Sequence, residues 1–371
     1  MVQGADMREY ELEVLEQYDI EVRSTRKIRG AFFCDTDQGG LLLKEVHFSE
    51  KRAPLLYQLC LQLKEEGFER VDLPVLTKEG NCLSVYRDGT HYLLKHWFTG
   101  RECDVRKETE VLQSVRNLAR LHQVMFWREG DLPVGNGQGQ IEQRDETAEE
   151  KTEMGSGIEN EWNRAIFSEP VCGGNLKEDY LRHNRELRKV REYIRRRSRK
   201  DEFELLYLRH FEEMNRLADL VMQRMERTEY DALYRESLAG KCLVHGDYNY
   251  HNLLFVQGEI ATTGFERFHI EIQMADFYYF FRKVMEKHGW KESLGVKMLE
   301  AYDGVRPLKK AEKEYLAIRL LYPEKFWKIA NSYYHSNKAW VSQKNTEKLK
   351  ICVSQTEGKI ALIEKIFSFH L

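Results

Sequence analysis

The chain has 371 residues, with 58 Lys and Arg against 61 Asp and Glu, a formal net charge of -3 and a pI near 6.5. That balance leaves no basic surplus for a polyanion, so nucleic acid is excluded as the default partner. Seven scattered cysteines without a C-x-x-C pair argue against a disulfide framework or zinc site, and no apolar run approaches the ~20 residues that span a bilayer. No basic start followed by an apolar core opens the chain, so the expectation is synthesis and folding in the cytosol.

In chain order, Glu21–Ile28 and Ala31–Cys34 are candidate strands about a turn at Gly30, and Leu41–Val46 is an apolar strand carrying Lys44. A helix is expected from Ser49, with Leu55, Leu56, Leu59 and Leu63 on one face and Gly67 as its stop. Leu83–Tyr86 and His91–Trp97 predict a hairpin about Asp88–Gly89. From Glu108 the spacing turns helical through Leu112, Val115, Leu118, Ala119 and His122. Residues 129–160 are rich in Gly, Glu, Gln and Asp and poor in large apolar groups. They read as a mobile insertion between two helices.

A basic helix, Leu181–Lys200, follows, with ten Arg/Lys against two Glu. Its plain reading is a solvated face beside a buried stripe of Leu187, Val190 and Ile194; an acidic-partner site is the alternative. Phe203–Arg227 is a further amphipathic helix, and the chain from Met274 is again mostly helical. Between these lie two short strands, Leu253–Val256 and Glu259–Thr263, about Gln257–Gly258. The order predicts a small β-rich N-terminal part, residues 1–97, and a large, mainly helical C-terminal part, residues 98–371, with a ligand cleft between them.

The informative segment is Leu243-Val-His245-Gly246-Asp247-Tyr-Asn-Tyr-His251-Asn252-Leu-Leu-Phe-Val. A strand end, His-x-Asp, four residues, Asn and a second strand is the order of a protein-kinase catalytic loop. In that arrangement the Asp, here Asp247, accepts the proton of an attacking hydroxyl, and the Asn, here Asn252, turns back to a magnesium ion on the nucleotide phosphates. The His-Gly-Asp variant resembles aminoglycoside and choline phosphotransferases. The resemblance implies an α+β, protein-kinase-like bilobal fold with a small β-rich N-lobe and a large helical C-lobe, with ATP and Mg as cofactors.

Lys44 then suits the strand lysine that contacts the α- and β-phosphates, and Glu50 is a candidate to pair with it. The plain alternatives are a lysine at a strand end and a glutamate favoured by a helix dipole. The hairpin Lys27-Ile-Arg-Gly30 lacks a G-x-G-x-x-G cover for the phosphates.

Downstream, phosphotransferases of this type carry Ile-Asp-Trp/Phe-Glu, whose Asp binds the bridging magnesium. This chain reads Thr262-Thr263-Gly264-Phe265-Glu266. Glycine offers no ligand, and charge neutralisation is nearly all that such an enzyme supplies. Glu266 is a candidate surrogate metal ligand. Asp276 is a second nearby carboxylate, expected to serve structurally at a helix start.

Several segments together resemble the CotS-type spore coat proteins, which are kinase-like relatives of these enzymes. They are Tyr92-Leu-Leu-Lys-His-Trp97-Phe-Thr-Gly100-Arg101-Glu102-Cys-Asp104, Leu118-Ala-Arg-Leu-His122, the His245–Asn252 loop, Phe265–Asp276, and Tyr322-Pro-Glu-Lys-Phe-Trp327-Lys-Ile-Ala-Asn331-Ser-Tyr-Tyr334. The resemblance implies synthesis in the mother cell, deposition in the spore coat, other coat proteins as partners, and a structural or morphogenetic role with enzymatic activity open. Three readings follow: a degenerate kinase with weak or no phosphotransfer, an active ATP-dependent phosphotransferase of a small hydroxylated molecule, and a scaffold with an empty cleft.

Overall fold

The computed structural model describes residues 10–28, 30–128, 170–335 and 343–367, and the stretch read as an insertion, 129–160, lies outside them. The chain divides into two compact units. The first holds residues 1–100, 127–170 and 256–265, and the second holds 101–126, 171–255 and 266–371.

In the first unit a five-stranded sheet runs in the order β1-β2-β3-β5-β4. The strands are β1 (Val22–Ile28), β2 (Ala31–Thr36), β3 (Gly39–Val46), β4 (Ser84–Val85) and β5 (His91–His96). Each neighbouring pair among them is antiparallel. Registers Cys34↔Leu41 and Leu43↔Leu94 put these side chains on one face, since alternate residues of a strand point to opposite sides. That face closes over helix α1 (Tyr10–Leu15) with Val14, Leu15 and Tyr18, all buried, and each fully buried Leu or Val contributes about 1.5–3 kcal/mol. Leu42, Lys44, Leu93 and Lys95 share the opposite face, fixed by Leu42↔Lys95 and Lys44↔Leu93. Helix α2 (Arg52–Glu65) buries Leu55, Leu56, Leu59 and Leu63, the predicted stripe. It starts three residues later than the sequence suggests, and Gly67 follows it with φ +88°.

The second unit is helical. Its elements are α3 (Glu108–Val124), α4 (Leu176–Arg196), α5 (Glu202–Met225), α6 (Tyr230–Ala239), α7 (Met274–Lys287), α8 (Glu292–Asp303), α9 (Lys310–Leu321), α10 (Glu324–His335), α11 (Gln343–Ser354) and α12 (Thr356–Phe367). Asn175 caps α4 by accepting from the Lys177 N–H at 2.9 Å, and Asp201 with Glu204 forms a reciprocal capping box on α5. Helix α7 buries Phe277, Phe280, Phe281, Val284 and Met285, whose spacing of three and four puts them on one broad apolar face.

Part of the basic run of α4 is taken up by its neighbour, and most of the rest is exposed. Arg188 meets Asp219 at 2.6 Å, and Arg191 pairs with Glu212, both carboxylates on α5. The 322–334 segment packs against α4: Tyr322 donates to Asn184 Oδ1 at 2.7 Å, Trp327 Nε1 donates to Glu186 Oε2 at 2.7 Å, and His183 stacks on Trp327 with ring centroids 3.4 Å apart. These distinctive aromatics are helix-packing residues.

Candidate active site

In the second unit, β6 (Arg101–Glu102) pairs with β8 (Leu253–Val256), which begins just after the His245–Asn252 loop, and β7 (Leu243–Val244) pairs with β10 (His269–Ile270). Gly246 has φ +78°, and a Cβ there would lie 2.1 Å from the Arg267 carbonyl oxygen, so only glycine fits. His245 is fully buried, and its Nδ1 accepts the Asp247 backbone N–H at 3.1 Å, which requires Nδ1 to be the unprotonated nitrogen.

Asp276, in the first turn of α7, accepts the His245 N–H at 2.6 Å and the Gly246 N–H at 3.0 Å. Its third partner is His122, whose Nε2 lies 3.4 Å away, while His122 Nδ1 meets Tyr302 Oη at 2.6 Å. Burial holds the His122 imidazole below its ordinary pKa, against the pull of Asp276. A carboxylate can only accept, so Nε2 carries the proton of the Asp276 contact. Burial pushes the Asp276 carboxyl up, but the His122 hydrogen bond, the nearby histidines and the His245 N–H together leave it below its ordinary value. Asp276 is thus the buried clamp that shapes the loop.

The loop brings Asp247 and Asn252 together. Asn249 Nδ2 donates to Asp247 Oδ1 at 2.9 Å, and Asn252 Nδ2 donates to the Asp247 backbone oxygen at 2.9 Å and to Oδ2 at 3.3 Å. Two amides thereby orient one half-buried carboxylate, the arrangement a general base needs. Tyr248, fully buried, anchors the loop by donating to the Ser114 carbonyl at 2.7 Å and accepting from Asn117 Nδ2 at 3.0 Å.

The other predicted residues fall as follows. Glu266 lies in a short 3₁₀ turn, Phe265–Arg267, in the second unit. Lys44 is on β3 of the first unit, opposite Leu93 and half-buried. Glu50 sits two residues ahead of α2 and pairs with His91 Nε2 at 2.8 Å.

One constellation escaped sequence reasoning. Lys95 Nζ and Asp72 Oδ2 are 2.6 Å apart with side chains 4% and 2% exposed, and the Gly264 N–H donates to the same oxygen at 2.8 Å. Strand β9 (Glu259–Thr262) delivers Gly264 there through a parallel bridge, Val71↔Thr262, and the bond from Thr262 N–H to the Arg70 carbonyl at 3.0 Å. Gly264 itself has φ +86°. The available signal was a lysine among apolar residues on the inward face of Tyr92-Leu-Leu-Lys95-His.

A divalent cation needs hard oxygen donors, and magnesium is usually held by one or two carboxylates together with phosphate oxygens. Position 264 offers none, and Asp72 beside it is already neutralised by Lys95. Asn252 and Glu266 add one amide and one carboxylate to such a set. Among the described residues no cluster of three or more His, Cys, Asp or Glu is placed to hold a metal. Phosphate oxygens would have to complete the coordination of any cation that Asn252 and Glu266 held.

Residues 28–309 match the model of the phosphotransferase enzyme family. A stretch of 138 residues is 28% identical to spore coat protein S of Bacillus subtilis (strain 168), taking in 35% of this chain and 39% of that protein, so the match spans well under two thirds of the relative's length. An aminoglycoside phosphotransferase from Alicyclobacillus acidocaldarius has a TM-score of 0.77 at 17% identity, over 99% of this chain and 97% of its own. A spectinomycin phosphotransferase, crystallised with ADP and spectinomycin, has a TM-score of 0.61 at 12% identity, over 95% and 97% of the two chains. At those identities the likeness establishes the α+β, kinase-like fold alone. No helix among the described residues is long and apolar enough to cross a membrane.

Proposed function

The chain belongs to the phosphotransferase enzyme family, and from that premise we propose that it is a kinase-fold spore coat protein of the CotS type with weak or no phosphotransfer. The observation that carries the reading is Gly264. Where the family's metal-binding carboxylate is expected, this chain has a residue without a side chain, and its backbone N–H is given to Asp72. Asp72 is in turn held by Lys95. An internal ion pair thus fills the polar demand at a position where a phosphotransferase invests charge in its nucleotide. The 28% identical stretch shared with spore coat protein S supports a role in the coat, with other coat proteins as partners and deposition on the forespore after synthesis in the mother cell. Nucleotide binding without turnover, using Lys44 toward the phosphates, is compatible with this reading.

A labelled-ATP assay with magnesium and with manganese tests the catalytic half. Background release unchanged by Asp247→Asn supports it; sustained turnover abolished by that substitution ends it. Fractionation of spores tests the other half: the chain should leave with the extracted coat, and recovery only from the mother-cell cytosol would overturn a coat role.

A second reading is favoured by the loop itself. Asp247 is oriented by two amides, and Asn252 keeps its place five residues on. On this reading the chain phosphorylates a small hydroxylated molecule with Asp247 as base and with Asn252 and Glu266 as metal ligands. A rise in melting temperature with ATP and magnesium that Glu266→Ala removes, together with turnover, would favour it over the first.

A further inference from the structure

The helical unit contains a second polar site in a different place. A cavity of about 30 Å³ is lined by Arg282 and Glu286 of α7, Lys325 of α10, Cys352 of α11 and Gln355 and Lys359 at the start of α12. Its charges do not balance: three cations face one carboxylate.

Glu286 is spent on two of the three cations. Its Oε1 lies 2.6 Å from Arg282 Nη1, and its Oε2 lies 3.0 Å from Lys325 Nζ. Among the described residues Lys359 makes no ion pair. Arg282 Nε is buried with no hydrogen-bond acceptor. The next carboxylate, Glu324, is occupied elsewhere: it accepts from Tyr278 Oη at 2.9 Å and pairs with Arg319 and Lys328. Gln355 gives its amide N–H to the Glu286 carbonyl at 3.0 Å, and its oxygen takes the Trp290 indole at 3.4 Å. Burial lowers the Lys359 pKa, although Cys352 and Glu286 oppose the shift, as expected of an ammonium short of counter-charge.

A half-buried cation without a partner, as Lys359 is, is costly, and so is a buried guanidinium N–H without an acceptor. Both deficits are met by one anion with several oxygens. The surplus of two positive charges (three cations less one carboxylate) suits a doubly charged ion, and Arg and Lys are the side chains that grip tetrahedral oxyanions. On the scale where a water needs about 10–15 Å³, the cavity has room for a compact ion but not for a nucleotide. We propose that this cavity is a binding site for a free inorganic oxyanion of the phosphate class, gripped by Arg282, Lys325 and Lys359.

The test uses the full chain and inorganic phosphate, titrated against chloride at constant ionic strength. The expected result is a saturable rise in melting temperature of several degrees, absent in Lys359→Met. Without phosphate, Lys359→Met should melt at or above the parent, because it removes an uncompensated, half-buried charge. A second readout needs no variant. Alkylation of Cys352, mapped by mass spectrometry, should slow several-fold when phosphate is bound, while the exposed Cys172 keeps its rate as an internal reference. A non-saturating rise, one equally large in Lys359→Met, or unchanged Cys352 alkylation would each overturn the site.

Discussion

Replacing Lys95 with Met should destabilise the first unit more than almost any other single substitution there. The Lys95 and Asp72 side chains are 4% and 2% exposed at 2.6 Å, so water contributes little to either charge. Methionine keeps most of the volume and removes the ammonium, leaving a carboxylate sealed in the interior. Breaking a buried pair from one side typically costs about 3–5 kcal/mol. At roughly 2–4 °C per kcal/mol, that lowers the melting temperature by about 6–20 °C. The double variant, Lys95→Met with Asp72→Leu, removes both charges and leaves chiefly the Gly264 N–H unsatisfied, a loss of about 1–3 kcal/mol. The double variant should therefore be more stable than Lys95→Met alone. Chemical denaturation of all four members of the cycle, followed by fluorescence, gives the coupling. A loss below about 1 kcal/mol in Lys95→Met, or additive single effects, would refute the view that this pair replaces the metal's electrostatic role.

Three further outcomes follow from distances in the second unit. Gly246→Ala forces a Cβ to 2.1 Å from the Arg267 carbonyl carbon's oxygen and should cost more than about 3 kcal/mol, read as a collapsed melting temperature or insoluble protein. Asp247→Asn keeps both amide contacts near the loop's backbone and should change stability by less than about 1 kcal/mol, so any loss of ATP turnover can be assigned to chemistry. Glu110 receives the Arg101 fork at 2.6 and 2.7 Å, which holds its carboxyl down at about 2 from an ordinary 4.5. Because the folded-state pKa is the lower one, this stabilisation is complete above pH 4.5 and is lost as pH falls towards 2. With Arg101 half exposed the pair is partly screened, and the melting gap between parent and Glu110→Gln should narrow between pH 7 and pH 3.

The parts legible in the sequence are those set by short-range spacing. His245, Asp247 and Asn252 lie within eight residues, and a strand on each side fixes the loop between them. The leucines of α2 and the alternation in β3 are equally local. What escaped is set by distant partners. Gly246 looks like a free choice until the Arg267 carbonyl is seen against it. Lys95 looks like one polar residue in an apolar strand, because its carboxylate is 23 residues away in irregular backbone. The 322–334 run was recognisable by its residues, but that its aromatics dock on α4 depends on contacts some 140 positions apart, such as Trp327 with Glu186. Helix α4 starts five residues ahead of the expected Leu181, because the Asn175 cap lies upstream of the arginine run.

The fate of a carboxylate restored at position 264 separates a lost ligand from a rebuilt site. Gly264 has φ +86°, which glycine takes freely and aspartate takes at about 1 kcal/mol. Gly264→Asp also sets a second negative charge beside Asp72, whose Oδ2 lies 2.8 Å from the residue's own nitrogen. Without ligands the variant should therefore lose roughly 2 kcal/mol in all. If the glycine alone disables cation binding, ATP with magnesium should raise the variant's melting temperature well beyond the rise seen in the parent, since only the variant gains a folded-state ligand. Equal rises in the two proteins would mean that other oxygens already hold the cation. No rise in either would mean that the Lys95–Asp72 pair has closed the position and that a single carboxylate is too little to reopen it.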